Sequence, residues 1–338
     1  MWFIMSLPLG KVSIKILRKI LGYVKTDTSV IVTPGVGIDA AIVSVGEELI
    51  VSACDPITGA SREVGWLSVH VNANDIAVCA AYPRWYVVTL LLPPRIREED
   101  IYDVMEGINN ALSEIGANLI SGHTEVTNKV TDTIVVGTMI GIPMVKGKYV
   151  TNRGARDGDY IIMTKGAGIE GTWILAESLG KERGLSESEI RRIRALKNKI
   201  SVLPDVKVLM EIGVDNIHAM HDATEGGVLG ALYEMAEASD VGFRVYEDKI
   251  IVREETKKIA SLFSLDPLKL ISSGTLIAAI DGDFVDKAIN LLRKGGIDAC
   301  VIGEITKGNR EIIKDDGSVV ILREPPIDEL WRILGSSQ

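Results

Sequence analysis

The sequence contains few cysteines and no long apolar run. Cys54, Cys79 and Cys300 lie far apart and form no C-x-x-C pair, so neither a zinc site nor a disulfide framework is predicted. No stretch of about twenty residues is apolar enough to span a membrane. The apolar opening at 1–5 is too short for a signal peptide and lacks a basic leader. We therefore expect a soluble protein of the reducing cytoplasm, without a membrane partner.

Positive charge is also scarce. The chain has 37 lysines and arginines against 46 aspartates and glutamates, which gives a net charge of −9. A nucleic-acid partner requires a basic face that displaces counterions from phosphates, so this class of partner is excluded. Proline is scarce too, with 11 residues in 338, and 46% of the residues are hydrophobic, so extended disorder is not expected. A chain of this length favours two domains over one.

Two familiar nucleotide-binding patterns are absent or unsupported. No G-x-x-x-x-G-K-[ST] segment occurs, which excludes a P-loop. Residues 166–171 match G-x-G-x-x-G, but a dinucleotide fold also needs a strand that ends in an acid about twenty residues later. A charged helix is predicted there instead, so NAD is rejected. A turn that presents amides to an anion and an ordinary tight turn both remain open.

Helix and strand patterns divide the chain into two parts. In the first part, helices are predicted at 11–24, 63–81 and 101–115, and strands at 39–45, 48–53, 117–121 and 133–142. In the second part, strands are predicted at 160–164, 242–246, 275–280 and 300–305, with a hairpin turning at 315–317. Helices are predicted there at 171–179, 187–199, 205–212, 226–238 and 284–294. A stretch rich in glycine and basic residues at 147–158 marks the boundary, and the mixed order favours two α+β domains, 1–150 and 151–338.

Three aspartates of the first part are flanked by apolar residues. Asp39, Asp55 and Asp75 stand next to predicted strand or helix core, where an ionised and unpaired carboxylate carries a large desolvation cost. Mg²⁺ offsets this cost well, because it prefers carboxylate oxygens and bridges them to substrate phosphates. The alternative is that Asp39 and Asp75 cap helices or turns.

Two further polar clusters follow predicted core segments. Residues 121–127 are expected at the end of a buried strand, where His123 could bind phosphate, transfer a proton or ligate metal, or serve only as hydrogen-bonded structure. Residues 221–227 precede an apolar helix. There Thr224 is expected to cap the helix, while Gly226 and Gly227 let a phosphate approach its first amides. A capped helix with an acidic first turn is the alternative, and it leaves the paired glycines unexplained.

Taken in order, the segments 37–41, 55–56, 74–77, 122–126 and 222–227 resemble the signatures of the PurM-like superfamily. Its members include aminoimidazole ribonucleotide (AIR) synthetase, thiamine-monophosphate kinase, selenophosphate synthetase and the hydrogenase-maturation protein HypE. The opening at 7–11 and the segment 122–125 are most similar to archaeal HypE-like proteins. The resemblance implies a PurM N-terminal-like domain that binds ATP and dimerises. It also implies a PurM C-terminal-like domain that completes the cleft, giving a homodimer.

The resemblance also implies roles for individual residues. Asp39, Asp55, Asp75 and Asp222 match acids that hold Mg²⁺ and the ATP phosphates. Asp75, His123 and Asp222 are the expected catalytic residues. The nucleotide is expected to contact Asp39, Asp55, Asn74, Asp75, His123, Thr124, Glu125, Glu225 and Gly226. The implied chemistry is ATP-dependent phosphoryl transfer that activates an amide, carbamoyl or phosphate acceptor, since an amide-type oxygen leaves only after phosphorylation.

One departure from HypE limits this implication. HypE carries its substrate on a C-terminal cysteine, whereas this sequence ends in glycine, two serines and glutamine, and its last cysteine is Cys300. Serine is a poor carbamoyl acceptor at neutral pH, so self-modification of this kind is not expected. The acceptor is then a small molecule or is bound to another protein. Two alternatives stay open: a small-molecule synthetase or kinase resembling AIR synthetase or thiamine-monophosphate kinase, and a non-catalytic ATP-binding scaffold that serves a maturation partner protein.

Overall fold

The computed structural model describes residues 7, 9–58 and 63–335, so the apolar opening at 1–5 lies outside the described residues. Two β-sheets, each with helices packed on it, follow one another along the chain. This confirms the predicted α+β class. The segment 144–159 joins the last strand of the first sheet to the first strand of the second. Within the described residues, no helix has the length and apolar character needed to cross a membrane.

The first sheet has six strands in the order β1-β2-β3-β6-β4-β5. All neighbouring pairs are antiparallel except β4 and β5, which run parallel. The strands are β1 (Val30–Val32), β2 (Ala41–Val45), β3 (Glu48–Ile57), β4 (Ala81–Leu92), β5 (Asn118–Val126) and β6 (Ile134–Pro143). Two helices follow β3 and β4 in the chain, α2 (Val64–Val78) and α3 (Glu98–Ile115), and pack against each other. A short helix, α1 (Ile14–Leu21), precedes the sheet in the chain.

Helix α2 is buried along its whole length. Every residue from Val64 to Val78 is buried, and the helix has no polar face, which is typical of a helix enclosed on all sides. One side packs on β3, β4 and β6, and the other contacts the second half of the chain. Asn74 and Asp75, near the end of α2, therefore lie between the two halves.

The outer face of the first sheet is uncovered in the single chain. Strand β5 lies at the edge and is exposed along its length, so the prediction of a buried strand here is wrong. Its register with β4 pairs His123 with Thr89 and Glu125 with Leu91, on the face opposite to the buried Val88 and Leu90. The apolar Leu119 and Ile120 favoured the prediction of a buried strand. An apolar sequence pattern does not distinguish a strand in the core from a strand on an exposed apolar surface.

The second sheet has seven strands in the order β13-β12-β9-β11-β7-β10-β8. The strands are β7 (Tyr160–Thr164), β8 (Ile217–Asp222), β9 (Gly242–Tyr246), β10 (Leu276–Ile280), β11 (Ala299–Thr306), β12 (Arg310–Ile313) and β13 (Val319–Ile321). The helices are α4 (Ile169–Leu179), α5 (Glu187–Arg194), α6 (Leu203–Leu209), α7 (Gly227–Ser239), α8 (Glu254–Phe263), α9 (Val285–Lys294) and α10 (Glu329–Leu334). Strand β10 is wholly buried and lies at the centre of the core.

Candidate functional site

A large cavity of about 1360 Å³ opens between the two halves of the chain. Its wall from the first half includes Asp39, Asp55 and Asp75, and its wall from the second half includes Glu225 and Glu234. Small-molecule pockets usually enclose about 300–1,000 Å³, so this cavity has room for a nucleotide and a second reactant.

The structure brings four of the predicted acids together beside this cavity. Asp39 precedes β2, Asp55 lies on β3, Asp75 lies in the last turn of α2, and Asp222 ends β8. Burial raises the pKa of Asp75 well above its usual range, and the neighbouring charges of Asp55, Asp222 and Asp39 raise it further. A divalent cation held between these four carboxylates would relieve their mutual repulsion.

The nearby cations His221 and Lys11 partly compensate the charge of Asp222, but no hydrogen bond among the described residues does. Its side chain is 0% exposed, and neither carboxylate oxygen has a hydrogen-bond partner among the described residues. Burial, followed by the charge of Asp39, raises the pKa of Asp222 to about 7. A buried carboxylate without partners costs several kcal/mol, and a divalent cation with its bound waters would remove this cost. The donor set therefore fits Mg²⁺.

His221 and Glu234 hold the acid cluster in place, and the sequence analysis assigned a role to neither. The Nδ1 atom of His221 lies 2.8 Å from Asp39 Oδ2, and its Nε2 atom lies 2.9 Å from Glu234 Oε2. Burial favours the neutral imidazole, but Asp39 and Glu234 outweigh it and raise the pKa of His221 to about 10. Donor atoms of Asp39, His221 and Asp222 lie within 4.8 Å of one another. Nε2 is hydrogen-bonded to Glu234, whereas Nδ1 lies close to Asp39 without hydrogen-bond geometry among the described residues. His221 therefore compensates the charge of Asp39, and its Nδ1 atom stays within reach of a cation held by Asp39 and Asp222.

Two cations keep the buried carboxylate of Glu234 ionised. Burial raises its pKa, but Lys11 and His221 outweigh burial and lower the pKa of Glu234 to about 2. Lys11 Nζ lies 3.0 Å from Glu234 Oε1. The signal available in the sequence was the presence of two acids, Glu234 and Glu237, in the otherwise apolar helix at 226–238, because acids in such a setting are usually paired.

Asn74 does not line the described cavity, although the sequence analysis expected it to contact nucleotide. Its Nδ2 atom donates to the Ile200 carbonyl at 2.9 Å, and its Oδ1 atom accepts from the Val202 amide at 2.9 Å. The side chain is fully buried. Both polar atoms of Asn74 are therefore used to join α2 to the second half of the chain, and the structure shows no nucleotide-facing role for this side chain.

His123, Thr124 and Glu125 are also absent from the cavity of the single chain. They lie on the exposed edge strand β5, and the side chains of His123 and Glu125 are 66% and 54% exposed. His123 Nε2 lies 3.6 Å from Glu125 Oε2. A contact between these residues and a nucleotide stays a prediction. It requires another protein surface to cover β5, because the residues do not reach the cavity of their own chain.

The segment before α7 differs from the predicted cap. Gly226, with φ of +85°, occupies the N-cap position of α7, and Thr224 makes no capping bond. The Gly226 amide donates to Asp328 Oδ2 at 2.6 Å, so it is not free for phosphate. A Cβ on Gly227 would lie 2.6 Å from the Leu270 carbonyl oxygen, so close packing explains this glycine. Glu225 and Thr224 remain cavity residues, and Gly226 does not line the cavity.

The glycine-rich turn at 166–171 is an ordinary tight turn. The amides of Gly166 and Ala167 donate to the carbonyls of Thr164 and Ile251, and the Gly168 amide donates to Ser272 Oγ at 2.8 Å. These partners leave none of the three amides available to an anion.

Two domain families cover most of the chain. Residues 37–143 match the N-terminal domain of AIR synthase related proteins, and residues 156–316 match their C-terminal domain. The chain belongs to the AIR synthase-related, or PurM-like, family. A protein of Methanocaldococcus jannaschii named for hydrogenase expression and formation is 30% identical over 315 residues, with 90% of each chain covered.

HypE proteins are further relatives of this AIR synthase-related chain. The carbamoyl dehydratase HypE of Azotobacter vinelandii is 26% identical over 264 residues, which cover 77% of this chain and 74% of the relative. The crystal structure of hydrogenase maturation protein HypE in complex with ATP matches with a TM-score of 0.70 and 22% identity. That match covers 92% of this chain and 91% of the other, and at this identity it establishes the shared fold.

The cysteines of this AIR synthase-related protein do not line the described cavity. Cys79 is buried, and burial together with the charges of Asp39, Asp75 and Asp222 raises the pKa of its thiol well above the usual range. A thiol held in its protonated form is a poor nucleophile. Burial likewise raises the pKa of Cys300 to about 11.

Proposed function

We propose that this protein binds ATP with Mg²⁺ in the acidic cavity and transfers a phosphoryl group to an amide, carbamoyl or phosphate oxygen of a separate acceptor. The observation that carries the proposal is Asp222, whose two buried oxygens have no protein partner among the described residues. The ATP bound in the HypE structure supports the choice of nucleotide, and the hydrogenase-formation role for which the relatives are named supports a role in metallocentre maturation.

Each acid has a distinct place in this mechanism. Asp39, Asp55, Asp75 and Asp222 would hold Mg²⁺, which when bound neutralises charge on the phosphates during transfer. His221 compensates the charge of Asp39, and Glu234 fixes His221 from the other side. The protein therefore acts mainly by positioning and by charge compensation, as is usual for phosphoryl transfer.

We also propose that two copies of the chain pair through the outer face of the first sheet. This face is uncovered and carries the partly exposed Trp85 and Ile142. The predicted nucleotide residues His123 and Glu125 share it, so pairing would give them the second surface that they lack in the single chain.

The acceptor is separate from the chain in this proposal. The raised thiol pKa values of Cys79 and Cys300 favour a diffusible or partner-bound acceptor. A small-molecule acceptor predicts turnover by the isolated protein, whereas a partner-bound acceptor predicts turnover only after the partner is added.

Calorimetric titration of ATP, with and without Mg²⁺, tests the proposal on the wild type and on Asp222→Asn. We expect Mg²⁺-dependent binding by the wild type and a loss of about tenfold or more in the variant, because one charge-assisted metal contact disappears. Asp240→Asn, an exposed acid at the end of α7, is the matched control and is expected to bind as the wild type does. Absence of ATP binding by folded wild type would contradict the proposal, and ADP release measured on the same samples separates an enzyme from a scaffold.

A further inference from the structure

The N-terminal segment 9–21, which we call the strap, forms one wall of the acidic cavity. It comprises an extended stretch at 9–13 and helix α1, and residues from both parts line the cavity together with Asp39, Asp55 and Asp75. The strap therefore lies beside the entry to the acids.

Polar contacts hold the strap more than hydrophobic ones do. No residue of α1 is fully buried. The Lys11 amide donates to Glu225 Oε1 at 2.6 Å, Lys11 Nζ pairs with Glu234, and Arg18 pairs with Glu237. The cation of each ion pair is at least half exposed, whereas its glutamate is mostly buried. Solvent screens an ion pair that is open on one side, so the strap detaches at lower cost than the buried elements do.

The start of the strap is nevertheless fixed in position. Gly10 has φ of +93°, and a Cβ at this position would collide with Glu225 Oε1 and the ring of Trp331. The backbone thus passes between a cavity acid and the last helix, α10. This passage places the Lys11 side chain in the cavity wall next to Glu234.

Lys11 is the strap cation that is coupled to the acid cluster. Its partner Glu234 also binds His221, and His221 in turn contacts Asp39. The Lys11 side chain is still 50% exposed, so it is free to exchange one carboxylate partner for another anion. A nucleotide bound at the aspartates would bring its phosphates to this side of the cavity, and a lysine is a usual partner of phosphate oxygens.

We propose that the strap is a lid on the acidic cavity and that Lys11 contacts the phosphates of the bound nucleotide when the lid is closed. The inference rests on the proposed function, because it takes ATP as the ligand. It adds a specific phosphate contact and an entry route. Nucleotide enters when the strap detaches from Glu225, Glu234 and Glu237, and it is retained when Lys11 engages the phosphates.

Hydrogen exchange of the strap amides, followed by mass spectrometry, tests the lid. The probes are Mg²⁺ with β,γ-methylene-ATP and Mg²⁺ with ADP, added to the full-length protein. We expect exchange at 10–21 to slow by about tenfold with the ATP analogue and by less with ADP, which lacks the terminal phosphate. Unchanged exchange in a protein that binds the analogue by calorimetry overturns the lid and leaves the proposed function intact. Absence of analogue binding overturns both.

Lys11→Met tests the phosphate contact, and Lys19→Met is the matched control. Lys19 lies on the same strap, is exposed, and has no ion pair among the described residues. We expect Lys11→Met to weaken binding of the ATP analogue by about tenfold, to leave ADP binding nearly unchanged, and to abolish the slowing of strap exchange. Lys11→Arg is expected to retain both effects. If Lys11→Met behaves like Lys19→Met, the contact does not exist.

Discussion

At the scale of single residues, Glu170 is an acid buried in an apolar setting apart from the four aspartates. It is the second residue of α4, is 4% exposed, and has one oxygen without a partner among the described residues. Burial raises the pKa of Glu170 to about 7, although the Ser273 hydroxyl opposes the shift. The folded state therefore holds this proton more tightly than the unfolded state does. The contribution of Glu170 to the unfolding free energy is then most favourable below about pH 4.5, falls as the pH rises to about 7, and is constant above it.

Glu170→Gln is expected to remove the fall in unfolding free energy that Glu170 causes between about pH 4.5 and pH 7. At pH 8 the variant should have a higher unfolding free energy than the wild type, by up to about 3 kcal/mol, because no charge has to be buried. At pH 4.5 the two proteins should differ little. Urea unfolding at both pH values measures the difference. Glu182→Gln, at an exposed position, controls for the amide and should show no such pH dependence. An equal difference at both pH values would mean that Glu170 does not titrate in this range.

Which residues could be predicted one by one depends on what each role requires. The setting of Asp39, Asp55 and Asp75 beside apolar residues was visible in the sequence, and the structure gathers them at one cavity with Asp222. The pairing of His221 with Asp39 and Glu234 was not foreseeable, because it joins three separate segments of the chain. Asn74 is next to Asp75 in the sequence, but successive residues of a helix point in different directions. The Asn74 side chain therefore bonds to the Ile200 backbone and does not join the acids.

At the scale of elements, α2 belongs to both halves of the molecule. It packs on the first sheet and also contacts β8 and α6 of the second half. Asn74 adds two hydrogen bonds to the backbone at Ile200 and Val202. A helix shared in this way couples the stability of the two halves.

Asn74→Ala is expected to lower the unfolding free energy by about 2–4 kcal/mol, because it leaves a buried carbonyl and a buried amide unpaired. Chemical denaturation measures the loss, and Asn110→Ala on the exposed side of α3 is the control, with a change within about 0.5 kcal/mol. ATP affinity of the folded variant separates the two interpretations of Asn74. Unchanged affinity fits the bridging role, and a large fall would restore the first prediction of a nucleotide contact.

The elements that the sequence analysis missed have identifiable causes. Strand β4 begins only three residues after α2 ends, contains Pro83, and changes register between Pro83 and Trp85. A proline at an irregularity of the ladder hides the alternating pattern of a strand. Strand β8 was missed because its six residues include His218 and His221, and helices α8 and α10 were missed as well. Longer helices with a clear apolar period, such as α3 and α9, were predicted within a few residues.

At the scale of the whole molecule, the uncovered face of the first sheet predicts self-association. Size-exclusion chromatography with light scattering should give twice the chain mass of 36.6 kDa for the wild type. Trp85→Glu places a charge on this face and should shift the mass to that of one chain, with weaker ATP binding if His123 and Glu125 act across the interface. Tyr102→Glu, on α3 and 61% exposed, is the control and should remain paired. A wild type of single-chain mass would refute the pairing.

The passage of the strap between Glu225 and Trp331 has a consequence for biosynthesis. The ribosome makes residues 9–21 before the residues that they contact, because Glu225, α7 and α10 lie more than two hundred residues later in the chain. The first sheet can form early, as N-terminal domains commonly do during translation. The acids Asp39, Asp55 and Asp75 are made before β8 supplies Asp222, and the strap reaches its contacts only after α7 and α10 have been made. The order of translation therefore places the assembly of the acidic cavity after the folding of the first sheet.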